Sequence, residues 1–251
     1  MHDLDKGMLE RARQGEFQAI DWGSSKGGSI EEIRLRYGYS KVVGIDLDPT
    51  KVADARSAGR DVILGDATQI DLGVGTVDAS FMFHFLEHLP TLSVAKKVIE
   101  RACRATRSVI YIRQPMFGAD EILFNLGLRF DWSTWSAHPN RMTTLDFHRI
   151  LRQLHSSGVV HWFGIGYGYP VHSSEAPFIV PLEADDNAVC YSPSLHGPKN
   201  TLKLTGIYKE VCVAVGLCEE FDPEEAARLI RCDHWVFESS RPAGYCHVKV
   251  N

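Results

Sequence analysis

Between Phe17 and Pro115 the chain alternates short, almost continuously apolar runs with longer amphipathic ones, and that alternation is what most limits its fold. A strand that is apolar along its whole length must be covered on both faces. Such strands, separated by helical stretches, form a parallel sheet with helices on either side. The segments FQAIDWG, KVVGIDLD, RDVILGDA, VDASFMFHF and RSVIYIRQP read as five strands. SIEEIRLRYG, PTKVADARSAG and TLSVAKKVIERACRAT read as the helices between them, with Gly38 and Gly59 as stops and Pro49 near a start.

The rhythm changes after Pro115. Residues 116–142 are rich in aromatic and turn-forming residues, and TTLDFHRILRQLHSSG then restores helical spacing, with Leu145, Ile150, Leu151 and Leu154 on one side and Gly158 as the stop. VVHWFGIGYGY is the expected sixth strand. A polar, proline-containing stretch, 170–202, precedes YKEVCVAVGL as the seventh, expected to run antiparallel to the rest. One short helix, PEEAARLIR, falls in the extension 219–251. The expected architecture is therefore α/β: a Rossmann-like, doubly wound, mostly parallel seven-stranded sheet with helices on both faces, in a single domain spanning 1–251.

The bulk numbers narrow the function. With 27 basic and 32 acidic residues spread along 251, the net charge of −5 offers no footprint for a phosphate backbone, so nucleic acid is not expected as a partner. No apolar run approaches the ~20 residues needed to span a bilayer, and the charged start has no apolar middle, so a cytoplasmic protein without a membrane partner is expected. The six cysteines form no C-x-x-C pair and are expected mostly to be small buried residues.

The loop after the first strand, DWGSSKGGS, carries the first chemical signal. A dinucleotide fingerprint needs G-x-G-x-x-G, but Ser25 stands at its middle glycine. A Walker loop needs a lysine where Ser29 stands. Further down the chain, Asp46 ends the second strand in GIDLDP, 19 residues after Gly27, and Asp66 ends the third in LGDA, 20 residues after Asp46. A carboxylate at Asp46 is placed to accept both ribose hydroxyls of an adenosine. Asp48, beside Pro49, reads as a surface acid.

Taken together, Asp21, Gly23 and Gly27 in the loop, the two strand-end acids, and FMFHFLEHLP at the end of the fourth strand resemble the class I S-adenosylmethionine-dependent methyltransferases, in particular those acting on small molecules. The resemblance spans about residues 18–115, with an echo to 158. It implies S-adenosylmethionine as cofactor. It implies a donor site made by Asp21, Gly23, Ser24, Ser25, Lys26 and Gly27 in the loop, Asp46 and Leu47 at the ribose, Asp66 and Ala67 at the adenine, and His84 and Phe85 beside them. Asp21 would balance the donor's ammonium, and the helix opening near Gly28 would point free amides at its carboxylate. WSAHPNRMTTLDF resembles the histidine-containing segment before the sixth strand of many such enzymes, which makes His138 the candidate acceptor-side base.

His84, Glu87 and His88 could also gather at the carboxyl edge of the sheet, but imidazole suits magnesium less well than carboxylate does, and no metal is expected. The acceptor is expected to be a small molecule such as a sugar, a phenol or another metabolite, methylated at oxygen, nitrogen or carbon, with 116–142 and 170–202 forming its lid. Two alternatives share parts of the pattern: a nicotinamide-dependent oxidoreductase, against which Ser25 counts, and a non-catalytic module of the same fold.

Overall fold

The computed structural model describes residues 3–239. In chain order the elements are α1 (Asp3–Arg13), β1 (Ala19–Trp22), α2 (Gly28–Tyr37), β2 (Val42–Asp46), α3 (Pro49–Ser57), β3 (Asp61–Leu64) and β4 (Val77–Phe83). A 3-10 turn (Leu86–His88) leads into α4 (Leu92–Ala105) and β5 (Thr106–Pro115). Then come α5 (Asp120–Asn125), β6 (Leu128–Phe130), α6 (Thr144–Ser156), β7 (Trp162–Ser173), β8 (Ile179–Pro181), α7 (Pro193–His196), β9 (Lys203–Gly216), α8 (Pro223–Ile230) and β10 (His234–Glu238).

The main sheet has the order β10-β7-β9-β5-β4-β1-β2-β3. Strands β1 to β5 pair in parallel, while β9 lies antiparallel between β5 and β7. The strand order reverses between β1 and β4. A cleft opens there at the carboxyl edge, because the loops after these two strands leave in opposite directions. Ile20 and Ile45 pack into the apolar layer on one face, and Ala19, Val42 and Phe81 into that on the other. Burying each of the larger ones, the isoleucines, Val42 and Phe81, contributes about 1.5–3 kcal/mol. This is the physical return on strands that are apolar on both sides.

Local signals position the helices. Gly38 closes α2 at φ 78°, in the left-handed region that glycine tolerates. Asp48 caps α3, accepting hydrogen bonds from the amides of Thr50 and Lys51, with Pro49 in the first turn. Thr143 and Asp146 form a reciprocal capping box that starts α6.

Three expectations need correction, and one element was not anticipated. The sheet has eight strands, because β10, from the tail, pairs antiparallel with β7; its five residues are aromatic enough for an edge strand but too few to stand out in the sequence. Leu145 is 53% exposed, and Phe147 takes its place on the buried face of α6. Of the five described cysteines only Cys103 and Cys212 are buried, and Cys246 lies outside the described residues. The charged start folds as α1, which lies on edge strand β3: the buried Asp5 accepts the Leu64 amide at 2.9 Å and is ion-paired with Arg56. That carboxylate satisfies an edge amide which would otherwise face water or another chain.

The stretches 116–142 and 170–202 meet. β6 from the first pairs antiparallel with β8 from the second, through Leu128, Arg129 and Phe130 opposite Pro181, Val180 and Ile179. Arg129 adds hydrogen bonds to the carbonyls of Ala184 and Asp185.

Candidate active site

The cleft at the reversal point has a volume of about 660 Å³, within the ~300–1,000 Å³ usual for a small-molecule site. Ten of the residues singled out from the sequence line it: Gly23, Ser24, Ser25, Lys26, Asp46, Leu47, Asp66, Ala67, His84 and Phe85. Asp21 and Gly27 do not, and their places show why. Asp21 is buried one layer down, accepting a hydrogen bond from the Ser29 hydroxyl, with its Oδ1 unpartnered. Gly27 faces the side chain of Arg60, which a Cβ there would meet at 2.4 Å.

The loop is held open by close approaches. Gly23 has φ 77°, and a Cβ on it would stand 2.1 Å from the Phe85 ring. The loop also packs on β2, where a side chain at Gly44 would collide with Ser24. Gly44 is a required residue that the sequence reading missed, since it sits inside a strand far from the glycine loop. Ser25, at the position of the missing middle glycine, adopts φ 51°, so the backbone keeps a glycine-like conformation without the glycine. His84 is also at φ 51°.

The two strand-end acids are fixed by backbone amides. Asp46 receives Ser25 N at 2.7 Å on Oδ2 and Asp48 N at 2.9 Å on Oδ1. Asp66 Oδ1 accepts from the amide and hydroxyl of Thr68. Both side chains are only partly buried and border the cleft, each with lone pairs to spare. Lys26 borders it too, but its ammonium pairs with Asp54 on α3 at 2.8 Å. Burial pushes the pKa of Asp21 up to about 7, against the opposing Ser29 hydrogen bond and with the repulsion of Asp46 and Glu32 added.

A second cavity, of about 230 Å³, adjoins the first, and His84 and His88 line both. Its walls include Trp132, Trp135, His138, Glu87 and Glu210. Ala188 and Val189 close it from the 170–202 stretch. His84 bridges carboxylates, with Nε2 3.0 Å from Glu210 and Nδ1 3.6 Å from Glu87. Partial burial opposes its charge, but its contacts with the two glutamates outweigh this and push its pKa up to about 9. Glu210 in turn meets Arg113 Nε at 3.3 Å. Arg113 makes a two-pronged pair with Glu32 at 3.0 and 2.8 Å and lies over the Phe83 ring. None of Arg113, Glu32 and Glu210 was legible beforehand, because they come from three elements far apart in sequence.

His138 is buried, and burial lowers its pKa, so it is neutral near pH 7. Its Nδ1 donates to the Trp132 carbonyl at 3.3 Å, which leaves Nε2 as a bare lone pair. Of the aromatic residues in 116–173, Trp132 and Trp135 reach the cavity, while Phe130, Trp162 and Phe163 are core.

The doubly wound sheet reverses at a glycine loop and carries acids at the ends of the next two strands, the arrangement that the resemblance to class I methyltransferases implies. Residues 20–109 match the family model described as methyltransferase domain, the stretch that holds the glycine loop and both strand-end acids. Among solved structures, a SAM-dependent methyltransferase from Archaeoglobus fulgidus is similar over 85% of this chain and 94% of that one, with a TM-score of 0.53 at 14% identity. The YcgJ protein from Bacillus subtilis is similar over 87% and 100%, with a TM-score of 0.53 at 12% identity. At such identities the likeness bears on the fold alone. No curated protein matches the chain in sequence. No helix among the described residues is long and apolar enough to cross a membrane.

Proposed function

We propose that the protein moves the methyl group of S-adenosylmethionine to a small-molecule acceptor held in the cavity beneath Trp132 and Trp135. The observation that carries this reading is the junction of two cavities at His84 and His88: one lined by the glycine loop and two acids, the other closed by aromatic side chains. In the first, Asp46 accepts the ribose hydroxyls, and Asp66 with the Ala67 amide meets the adenine. The loop from Gly23 to Gly27, with Ser24 and Ser25, wraps the methionine part, and Leu47 and Phe85 pack on the nucleoside. Lys26 contributes at the rim through its backbone, its ammonium being engaged by Asp54. Asp21 acts from below, through its effect on the loop and on the donor's ammonium.

Transfer is in line. A lone pair of the acceptor forms a bond to the methyl carbon while the carbon–sulfur bond breaks, its electrons passing to sulfur to leave a thioether. The donor is already activated, so positioning supplies most of the rate enhancement. Where the acceptor carries a proton, neutral His138 takes it on Nε2. The paired stretches 116–142 and 170–202, joined through β6 and β8, serve as the lid. A cavity of about 230 Å³ walled by Trp132 and Trp135 suits a small metabolite.

Equilibrium dialysis with S-adenosylmethionine tests the donor half. Absence of binding to protein that is folded by circular dichroism would end the reading. Donor consumption in the presence of fractionated small-molecule extracts then tests the acceptor half.

A further inference from the structure

Glu87, His88 and His138 come from two separate segments, yet one potential ligand atom from each lies within 4.8 Å of the others. Three hydrogen bonds hold the segments together. His88 Nδ1 donates to the Ala137 carbonyl at 2.9 Å, Asn140 Nδ2 to the Leu86 carbonyl at 2.9 Å, and the Asn140 amide to the Glu87 carbonyl at 3.2 Å. The loop that carries His138 is thereby fastened onto the 3-10 turn that carries Glu87 and His88.

Two features go beyond proximity. Glu87 is fully buried, and neither carboxylate oxygen accepts a hydrogen bond; the nearest cation is His84 Nδ1 at 3.6 Å, and His84 has a closer partner in Glu210 at 3.0 Å. A buried carboxylate left this way is costly unless something else meets it. Both histidines also spend Nδ1 on a backbone carbonyl, which in the neutral ring places the proton on Nδ1 and the lone pair on Nε2. Imidazoles held by an Nδ1 to carbonyl hydrogen bond, with Nε2 bare, are oriented as metal ligands usually are.

We infer that Glu87, His88 and His138 bind one divalent transition-metal ion at the floor of the acceptor cavity. Two imidazoles and one carboxylate suit zinc, cobalt, iron(II) or manganese rather than magnesium or calcium. Bonds of about 2.0–2.2 Å require ligand atoms about 3.3 Å apart, so the three close in on binding. His88 is exposed, so no core packing opposes a small shift of its ring. Three protein ligands leave positions open towards Trp132 and Trp135, where an acceptor with a hydroxyl, or two neighbouring oxygens, would complete the coordination.

The inference rests on the cavity being the acceptor site and revises one part of that reading. His138 Nε2 becomes a ligand, and the ion lowers the pKa of the bound hydroxyl in place of a free base. The hydroxyl's proton leaves to solvent; the oxygen lone pair then forms the bond to methyl as the carbon–sulfur pair passes to sulfur.

The test is metal binding in its own right. Tag-free protein, stripped with a chelator and exchanged into chelator-free buffer, is titrated with Co²⁺ while the visible ligand-field bands are followed, and bound cobalt is counted after dialysis. One ion per chain is expected, with affinity at least 10-fold weaker in both His138→Ala and His88→Ala and unchanged in the control His161→Ala. His88→Ala, at an exposed position, guards against misfolding of the buried variant, and circular dichroism checks both. Absence of saturable binding, or binding that survives both substitutions, overturns the inference. Donor dialysis on the same samples separates the two ideas: cobalt binding without donor binding supports the metal site and sinks the donor reading, and the reverse pattern does the opposite.

Discussion

Gly23 and Phe85 approach so closely that a single methyl on Gly23 would stand 2.1 Å from the Phe85 ring. The contact joins the end of β1 to the segment following β4, the two strands on either side of the sheet's reversal point, and so sets the width of the donor cleft. Gly23→Ala adds a side chain at φ 77°, costing about 1–2 kcal/mol, and overpacks the ring, costing a further ~1–3 kcal/mol. A loss of about 2–5 kcal/mol in urea unfolding is expected, with donor affinity at least 10-fold weaker by dialysis. An unchanged midpoint would mean that Phe85 moves freely aside.

Ser25 makes the opposite prediction. It holds φ 51° without being glycine, and its amide is what Asp46 accepts. Ser25→Gly relieves about 1–2 kcal/mol of backbone strain and costs roughly 0.5–1 kcal/mol in unfolded-chain entropy. Stability should therefore hold or rise by up to about 1.5 kcal/mol, with donor binding retained. Ser25→Val should lose stability instead, and a chain that tolerated valine would not be using the left-handed conformation seen here.

Asp46 and Asp48 are two residues apart and do different work. Asp46 borders the cleft, whereas Asp48 caps α3. Asp46→Ala should weaken S-adenosylmethionine binding by about 10- to 100-fold, the scale of a lost charged hydrogen bond. Asp48→Ala should cost ~1 kcal/mol of stability and leave binding close to wild type. Equal effects on binding would remove Asp46 from the ribose site.

The buried carboxyl of Asp21 makes stability depend on pH. Its folded pKa, pushed up to about 7 by burial, exceeds the ordinary aspartate value of 3.8. Between these values the native state keeps a proton that the unfolded chain has released, so this group's contribution to stability falls as pH rises from about 4 to about 7 and is level on either side. The slope cannot exceed about 1.4 kcal/mol per pH unit. Asp21→Asn should flatten the dependence in that window and gain relative to wild type at pH 8. Denaturation midpoints measured across pH 4–8 for both proteins check this, and parallel curves would show that Asp21 ionises freely.

Much of this could be read along the chain because the signals are local. The apolar strands, Gly38 as a helix stop, Pro49 and Asp48 at a helix start, and the spacing of Asp46 and Asp66 each express a preference of a few neighbouring residues. A parallel βαβ sheet then places successive strand ends along one edge. Most of the donor cleft follows from that. Even so, Asp21 was expected at its surface and lies beneath it, because which face of a strand end is open depends on what packs over it.

The acceptor side was nearly silent. Glu210 meets His84 across 126 residues, Arg113 meets Glu32 across 81, and His138 meets His88 through a loop fastened by Asn140. Such pairs carry no periodicity. Strand β10 and the β6–β8 pair were missed for a related reason, since strands of three to five residues are stabilised by the partner they meet rather than by their own sequence. The sequence by itself determined the sheet, its reversal point and the acids that end its strands, through preferences confined to short segments. Only the tertiary structure decided which charged groups share the second cavity, because burial and long-range packing choose those neighbours.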